Sequence, residues 1–229
     1  LITKGDPVAQ ITAADGTVTK YMTLQAAIDA VPDGKRGVIF IKNGVYEENI
    51  YAGTKSAKTK FISLIGESRE GTILTSNVNR GGDNGKSYLD CSALNVFVER
   101  FYAENLTIRN TSGNVGQAEA LFTAGDGHIF KNCKITGFQD TYKSDNNARG
   151  YFFDCFIEGA TDFIYGGGLE WFEQCQINCV QGGKYITAAA ESWTPMTKIL
   201  YPELETADAF YPGLFFNQCR VTASEGVAT

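Results

Sequence analysis

The chain has 229 residues, a formal net charge of −6 and a sequence pI near 4.9. That acidic balance argues against nucleic acid as a partner, because phosphate neutralisation needs clustered Lys and Arg. Apolar residues make up 43% and charged residues 20%, and no apolar run reaches 18 residues, so residues 1–229 read as one globular domain without a membrane span. The sequence opens at Leu1 with no signal-peptide pattern, which predicts a processed or excised segment.

The first predicted element is a helix. "TLQAAIDAVPDG" sets Leu24, Ala27, Ile28 and Val31 at i, i+3, i+4 and i+7, with Thr23 as N-cap and Pro32 as stop. Further along, one pattern recurs: "AENLTI" (103–108), "FKNCKI" (130–135), "FFDCFI" (152–157), "FEQCQI" (172–177) and "FNQCRV" (216–221). In each, a polar residue precedes Leu or Cys, then any residue, then Ile or Val. The Leu or Cys falls at 106, 133, 155, 175 and 219. Intervals of this size, with β-branched and aromatic residues in the strands, predict a solenoid whose coils stack one on the next. The architecture expected is all-β: a right-handed parallel β-helix, its first coil covered by the helix. The polar residue before each Leu or Cys is assigned to the bend, where short amides and carboxylates bond the backbone locally.

Cys133, Cys155, Cys175 and Cys219 share the phase of Leu106, and so read as small interior hydrophobes rather than as a disulfide framework. A zinc site is not expected, since His128 is the only histidine and no second Cys pair has ligand spacing. His128 and Trp171 read as strand residues. With no G-x-S-x-G motif, a Ser-His-Asp hydrolase is disfavoured. The sequons at Asn105 and Asn110 fall in or beside a strand and are attributed to chance. Residues 78–87 and 188–213 are predicted to be long loops leaving the coil.

Asp140 follows Cys133 by seven residues and Asp162 follows Cys155 by seven. Equal phase in a solenoid means stacked neighbours, about 4.8 Å apart. Two carboxylates so placed favour protonation of one, which suits a two-step acyl transfer with one Asp as nucleophile and the other as acid. Gln117 and Gln139 gather at the same place and can donate to a developing oxyanion. Tyr142, Phe163, Tyr165 and Trp193 are candidates for the walls of a sugar-binding groove. From the residues alone, a working carboxylate pair and a pair of structural turn residues both stay open.

Several motifs resemble those of the pectin methylesterases, carbohydrate esterases built on a right-handed parallel β-helix. "GVYEE" (44–48) looks like the family's G-x-Y-x-E, "GQAEAL" (116–121) like Q-A-x-A-L, "QDTY" (139–142) like Q-D-T-L/Y, and "DFIYG" (162–166) like D-F-I-F-G. "YITAAA" (185–190) is similar to its I-T-A segment. The resemblance implies that Asp162 is the nucleophile, that Asp140 is general acid and then base, and that Gln117 and Gln139 stabilise the oxyanion. The substrate would be methyl-esterified homogalacturonan (pectin), cleaved at the C6 methyl ester without metal or other cofactor by a secreted or periplasmic monomer.

The family's L-G-R-P-W segment has no counterpart after "FNQCRV". Its Arg would pair with the nucleophilic Asp and its Trp would line the groove. The 229 residues are therefore expected to be a portion of a longer enzyme, truncated at the C-terminal end. Arg149, in the loop between the two aspartates, reads as a solvated loop residue or as a stand-in for that Arg. Two other functions compete: a non-catalytic β-helix that binds carbohydrate, and an esterase acting on a different acyl ester. A polysaccharide lyase of similar fold would need clustered acids for Ca²⁺, which the sequence does not display.

Overall fold

The structure, a computed structural model, describes residues 6–56, 59–80, 86–146, 148–190 and 213–227. Its strands form three sheets of nine, seven and six strands, and apart from the N-terminal strands every pairing between named strands is parallel. The chain visits the three sheets in turn and steps one strand along each sheet per circuit, which is the right-handed parallel β-helix. No helix of the described residues is long and apolar enough to cross a membrane.

Each circuit follows from alternation in the sequence. In Arg36–Ile41, Ile39 and Ile41 point into the coil while Val38 and Phe40 face out. Stacking then brings like residues together. Phe130, Phe152, Phe172 and Phe216 are register partners on successive coils, with ring centroids 4.8 to 4.9 Å apart. Ile108, Ile135, Ile157, Ile177 and Val221 form the matching row in the second sheet. Phe216 and Val221 hold these inward positions yet are 41% and 64% exposed, because among the described residues no further strand stacks on them. Trp171 lies on the outer face of its strand, stacked on Phe215.

The bend before each Leu or Cys is a left-handed backbone position. Asn105, Asn132, Asp154, Gln174 and Gln218 have φ between 47° and 57°, a region that Asn and Asp enter at lower cost than most residues. Their side chains also stack: Asn132 Nδ2 donates to Asn105 Oδ1 at 2.7 Å and Gln174 Nε2 to Gln218 Oε1 at 3.2 Å. The four cysteines that follow are free thiols, as are Cys91 and Cys179. Each thiol of the repeat donates to a carbonyl on the preceding coil, as Cys155 Sγ does to Phe130 O at 3.4 Å and Cys175 Sγ to Phe152 O at 3.4 Å. The position therefore suits a small side chain with a weak donor.

The N-terminal end is closed as expected. Helix α1, Leu24–Asp29, is capped by Thr23, whose hydroxyl accepts from Ala26 N at 3.1 Å. It buries Leu24, Ala27 and Ile28 against the first coil. An antiparallel hairpin, Ala9–Thr12 with Val18–Tyr21, joins the edge of the nine-stranded sheet by pairing antiparallel to Arg36–Ile41. Together they cover apolar surface and sheet edge that the first coil would otherwise expose. Asn110, of the second sequon, is buried, and its amide donates to the carbonyls of Val78, Cys91 and Glu119 at 2.8, 3.1 and 3.0 Å. That side chain is committed to holding three segments together.

Candidate active site

The site lies where the second sheet hands over to the third. Gln117, Gln139 and Thr161 are bridge partners on three successive coils. Asp140 and Asp162, one residue further on, therefore stand one above the other. Their backbones are pinned the same way: Asp140 N donates to Thr161 O at 3.1 Å and Asp162 N to Tyr185 O at 2.7 Å. Both aspartates adopt positive φ, 63° and 50°. The left-handed turn interrupts strand alternation and swings each carboxylate out of the coil's interior, although Asp140 is still only 3% exposed. Gln117 is exposed and Gln139 half-buried, so both amides are open to a ligand on this face.

A cation and a third carboxylate complete the cluster. Arg80 Nη1 is 3.1 Å from Glu119 Oε1 and 3.9 Å from Asp140 Oδ2. Glu119 also accepts from the Tyr165 hydroxyl. Burial works against the charge on Arg80, but the neighbouring Glu119 carboxylate outweighs it and the pKa is raised. Lys143 Nζ lies 4.8 Å from the Tyr165 ring centroid and 5.3 Å from that of Tyr88, and the Arg80 guanidinium stands 5.9 Å above Tyr88. Tyr88 belongs to a short helix, Tyr88–Cys91, with a capping box formed by Ser87 and Asp90. Two cations and two aromatic rings thus form one wall beside the carboxylates.

The protonation pattern follows from this environment. Burial is the largest cause that pushes the Asp140 carboxyl up to about 7, followed by the negative charges of Glu119 and Asp162; Arg80 and Lys143 oppose it. That places the exchange of the Asp140 proton near neutral pH.

Two of the predicted wall residues do not face the groove. Tyr142 is 0% exposed and Phe163 is likewise buried. Tyr142 is the register partner of Leu121 and Ile164, both inward, and its hydroxyl pairs with Thr123 Oγ1 at 2.9 Å. The sequence reading set it beside Asp140 on the groove, but the left-handed turn at Asp140 and the strand that follows carry its ring inward. Tyr165 does stand on the groove side, half-buried. Trp193 lies outside the described residues, as does most of the predicted 188–213 loop and part of 78–87. Arg149 is not a stand-in cation for the site: it begins the strand Arg149–Phe153 and forms a two-point ion pair with Asp126 at 2.6 and 2.8 Å. Sequence reasoning missed Arg80, Glu119 and Lys143. Glu119 was visible as a charged residue inside the apolar "QAEAL", the only signal of the three.

The parallel β-helix thus brings two stacked carboxylates beside two side-chain amides on one face of the coil. The Pectinesterase family model matches residues 9–201. Probable pectinesterase 56 of Arabidopsis thaliana is 33% identical over 217 residues, which are 93% of this chain and 69% of that protein. A pectin methylesterase from Yersinia enterocolitica superposes with a TM-score of 0.73 at 32% identity, over 91% of this chain and 68% of that one. One from carrot superposes with a TM-score of 0.74 at 29% identity, over 92% and 62%. The chain belongs to the pectinesterase family. It spans 53% of the length of a second Arabidopsis relative, putative pectinesterase 11, and 39% of a third, probable pectinesterase/pectinesterase inhibitor 19.

Proposed function

We propose that this chain carries the catalytic centre of a pectin methylesterase, which hydrolyses galacturonosyl C6 methyl esters and releases methanol. The observation that carries the reading is the in-register stack of Asp140 on Asp162 beside the Gln117–Gln139 bridge. Family membership supports the same reaction class, and a related pectin methylesterase has been solved with a bound hexasaccharide, at 26% identity and a TM-score of 0.72.

In the first step an Asp162 carboxylate oxygen attacks the ester carbonyl carbon. The carbonyl oxygen takes up negative charge and is met by the side-chain amides of Gln117 and Gln139. Collapse of the tetrahedral intermediate breaks the bond to the methoxy oxygen, and the Asp140 proton passes to it, so methanol departs neutral. Asp140, now ionised, accepts a proton from water as that water attacks the acyl-enzyme, which frees Asp162 and the galacturonate. Tyr165, Tyr88 and the neighbouring cations supply a wall against which a sugar ring can lie. The polymer substrate implies a protein that works outside the cell.

Methanol release from highly methylated pectin by the 229-residue chain, beside its Asp162→Asn variant, tests the reading. Release that disappears in the variant is the expected result. Equal release from both would remove Asp162 from the mechanism, and no release from the folded parent chain would reject the esterase reading for this segment.

A further inference from the structure

Glu119 has no step in the reaction above, yet it is the most completely buried charge at the site. Its side chain is 0% exposed, and both its donors, Arg80 and Tyr165, converge on Oε1. Oε2 is buried as well and meets no donor among the described residues. A buried carboxylate is costly unless its oxygens are satisfied. A charge held this deep acts strongly on an ionisable neighbour.

That neighbour is Asp140. A single nitrogen, Arg80 Nη1, lies between the two carboxylates, at 3.1 Å from Glu119 and 3.9 Å from Asp140. The arrangement is held from several sides. Asn110 Nδ2 donates to the Glu119 carbonyl and to Val78 O, which fixes the segment that carries Glu119 against the one that leads to Arg80. Arg80 N donates to Gln117 O at 2.8 Å, so the arginine is anchored to the coil of one proposed oxyanion donor.

We propose, on the esterase reading above, that Glu119 is a positioning residue whose fixed negative charge keeps the leaving-group proton on Asp140, with Arg80 as the balancing charge on the open side. The charged groups that act on Asp140 are Glu119 and Asp162, both negative, and Arg80 and Lys143, both positive. After burial, Glu119 is the largest influence that raises Asp140, ahead of its stacked partner Asp162. Burial and then Glu119 thus hold the proton on Asp140 even when the groove is empty.

The test is the titration of the Asp140 side-chain carboxyl in the free 229-residue protein, followed by carbon NMR with labelled aspartate. In Glu119→Gln the amide oxygen can still accept from Arg80 and Tyr165, so the charge is removed while the contacts can persist. The Asp140 midpoint is expected to fall by about one pH unit or more, a roughly tenfold loss of proton affinity. In Arg80→Gln it is expected to rise. An unmoved midpoint in Glu119→Gln, or shifts of the same sign in both variants, would overturn the proposal. If Glu119→Gln does not fold, the double variant Glu119→Gln with Arg80→Gln, which removes both charges together, carries the test, and an Asp140 midpoint no lower than in Arg80→Gln alone overturns the proposal. This titration does not depend on turnover, so its failure is distinct from failure of the parent chain to release methanol.

Discussion

Asp140 and Asp162 occupy the same phase of consecutive coils, and both hold the left-handed backbone conformation that L-residues usually avoid, with φ of 63° and 50°. The turn that aims the carboxylates is therefore part of the fold's repeat, and the same residue type serves backbone and chemistry. Asparagine enters this region about as readily as aspartate, whereas alanine has no side-chain bond to compensate. Asp162→Ala is expected to be less stable than Asp162→Asn by about 1 kcal/mol. Urea unfolding midpoints check this, and equal midpoints would separate the turn from the identity of its side chain.

Gln117 is exposed at the mouth of the site and makes a backbone bridge to Gln139. Among the described residues its side-chain amide has no hydrogen-bond partner, and on the proposed mechanism it bonds only as the oxyanion forms. Gln117→Ala should lower kcat by roughly 10²–10³ with KM little changed. Steady-state kinetics on methylated pectin decides it, and an effect confined to KM would reassign Gln117 to ground-state binding.

Asp140 should leave its signature in the pH profile. Its carboxyl is pushed up to about 7 by burial first and then by Glu119 and Asp162. As pH rises through that value the acid form is lost, so kcat/KM should fall above about pH 7, by roughly tenfold per unit. A profile that stays flat to pH 9 would remove Asp140 as the acid that protonates methanol.

Glu170 lies in the interior, in the space left by Gly150 and Gly168, next to Tyr142. Burial pushes its carboxyl up from 4.5 to about 8, and the Tyr142 hydroxyl offsets only part of that. The folded state therefore binds this proton more tightly than the unfolded chain does. Its contribution is complete below pH 4.5 and is lost as pH rises towards 8, on the order of a few kcal/mol in all. Glu170→Gln should remove that loss and raise the melting temperature at pH 8 more than at pH 5. Thermal unfolding at the two pH values reads the difference directly, and an equal shift at both would show that Glu170 does not titrate in the fold.

Much of the architecture was legible in the chain by itself. The spacing of Leu106, Cys133, Cys155, Cys175 and Cys219 determined a stacked coil, because a side chain repeated at one phase must meet its copies. The same spacing placed Asp140 over Asp162, and the polar residue ahead of each Leu or Cys marked its bend. Thr23 and the apolar face behind it announced the capping helix. These features are local, or strictly periodic, and so survive being read in one dimension. Tertiary structure alone decided the direction of Tyr142, because a left-handed residue breaks the alternation from which a side chain's face is inferred. It alone decided the partners of charge. Arg80 reaches Glu119 across 39 residues of sequence, and Arg149 turns from the site to Asp126, because ion pairs form between neighbours in space that share no period in the chain.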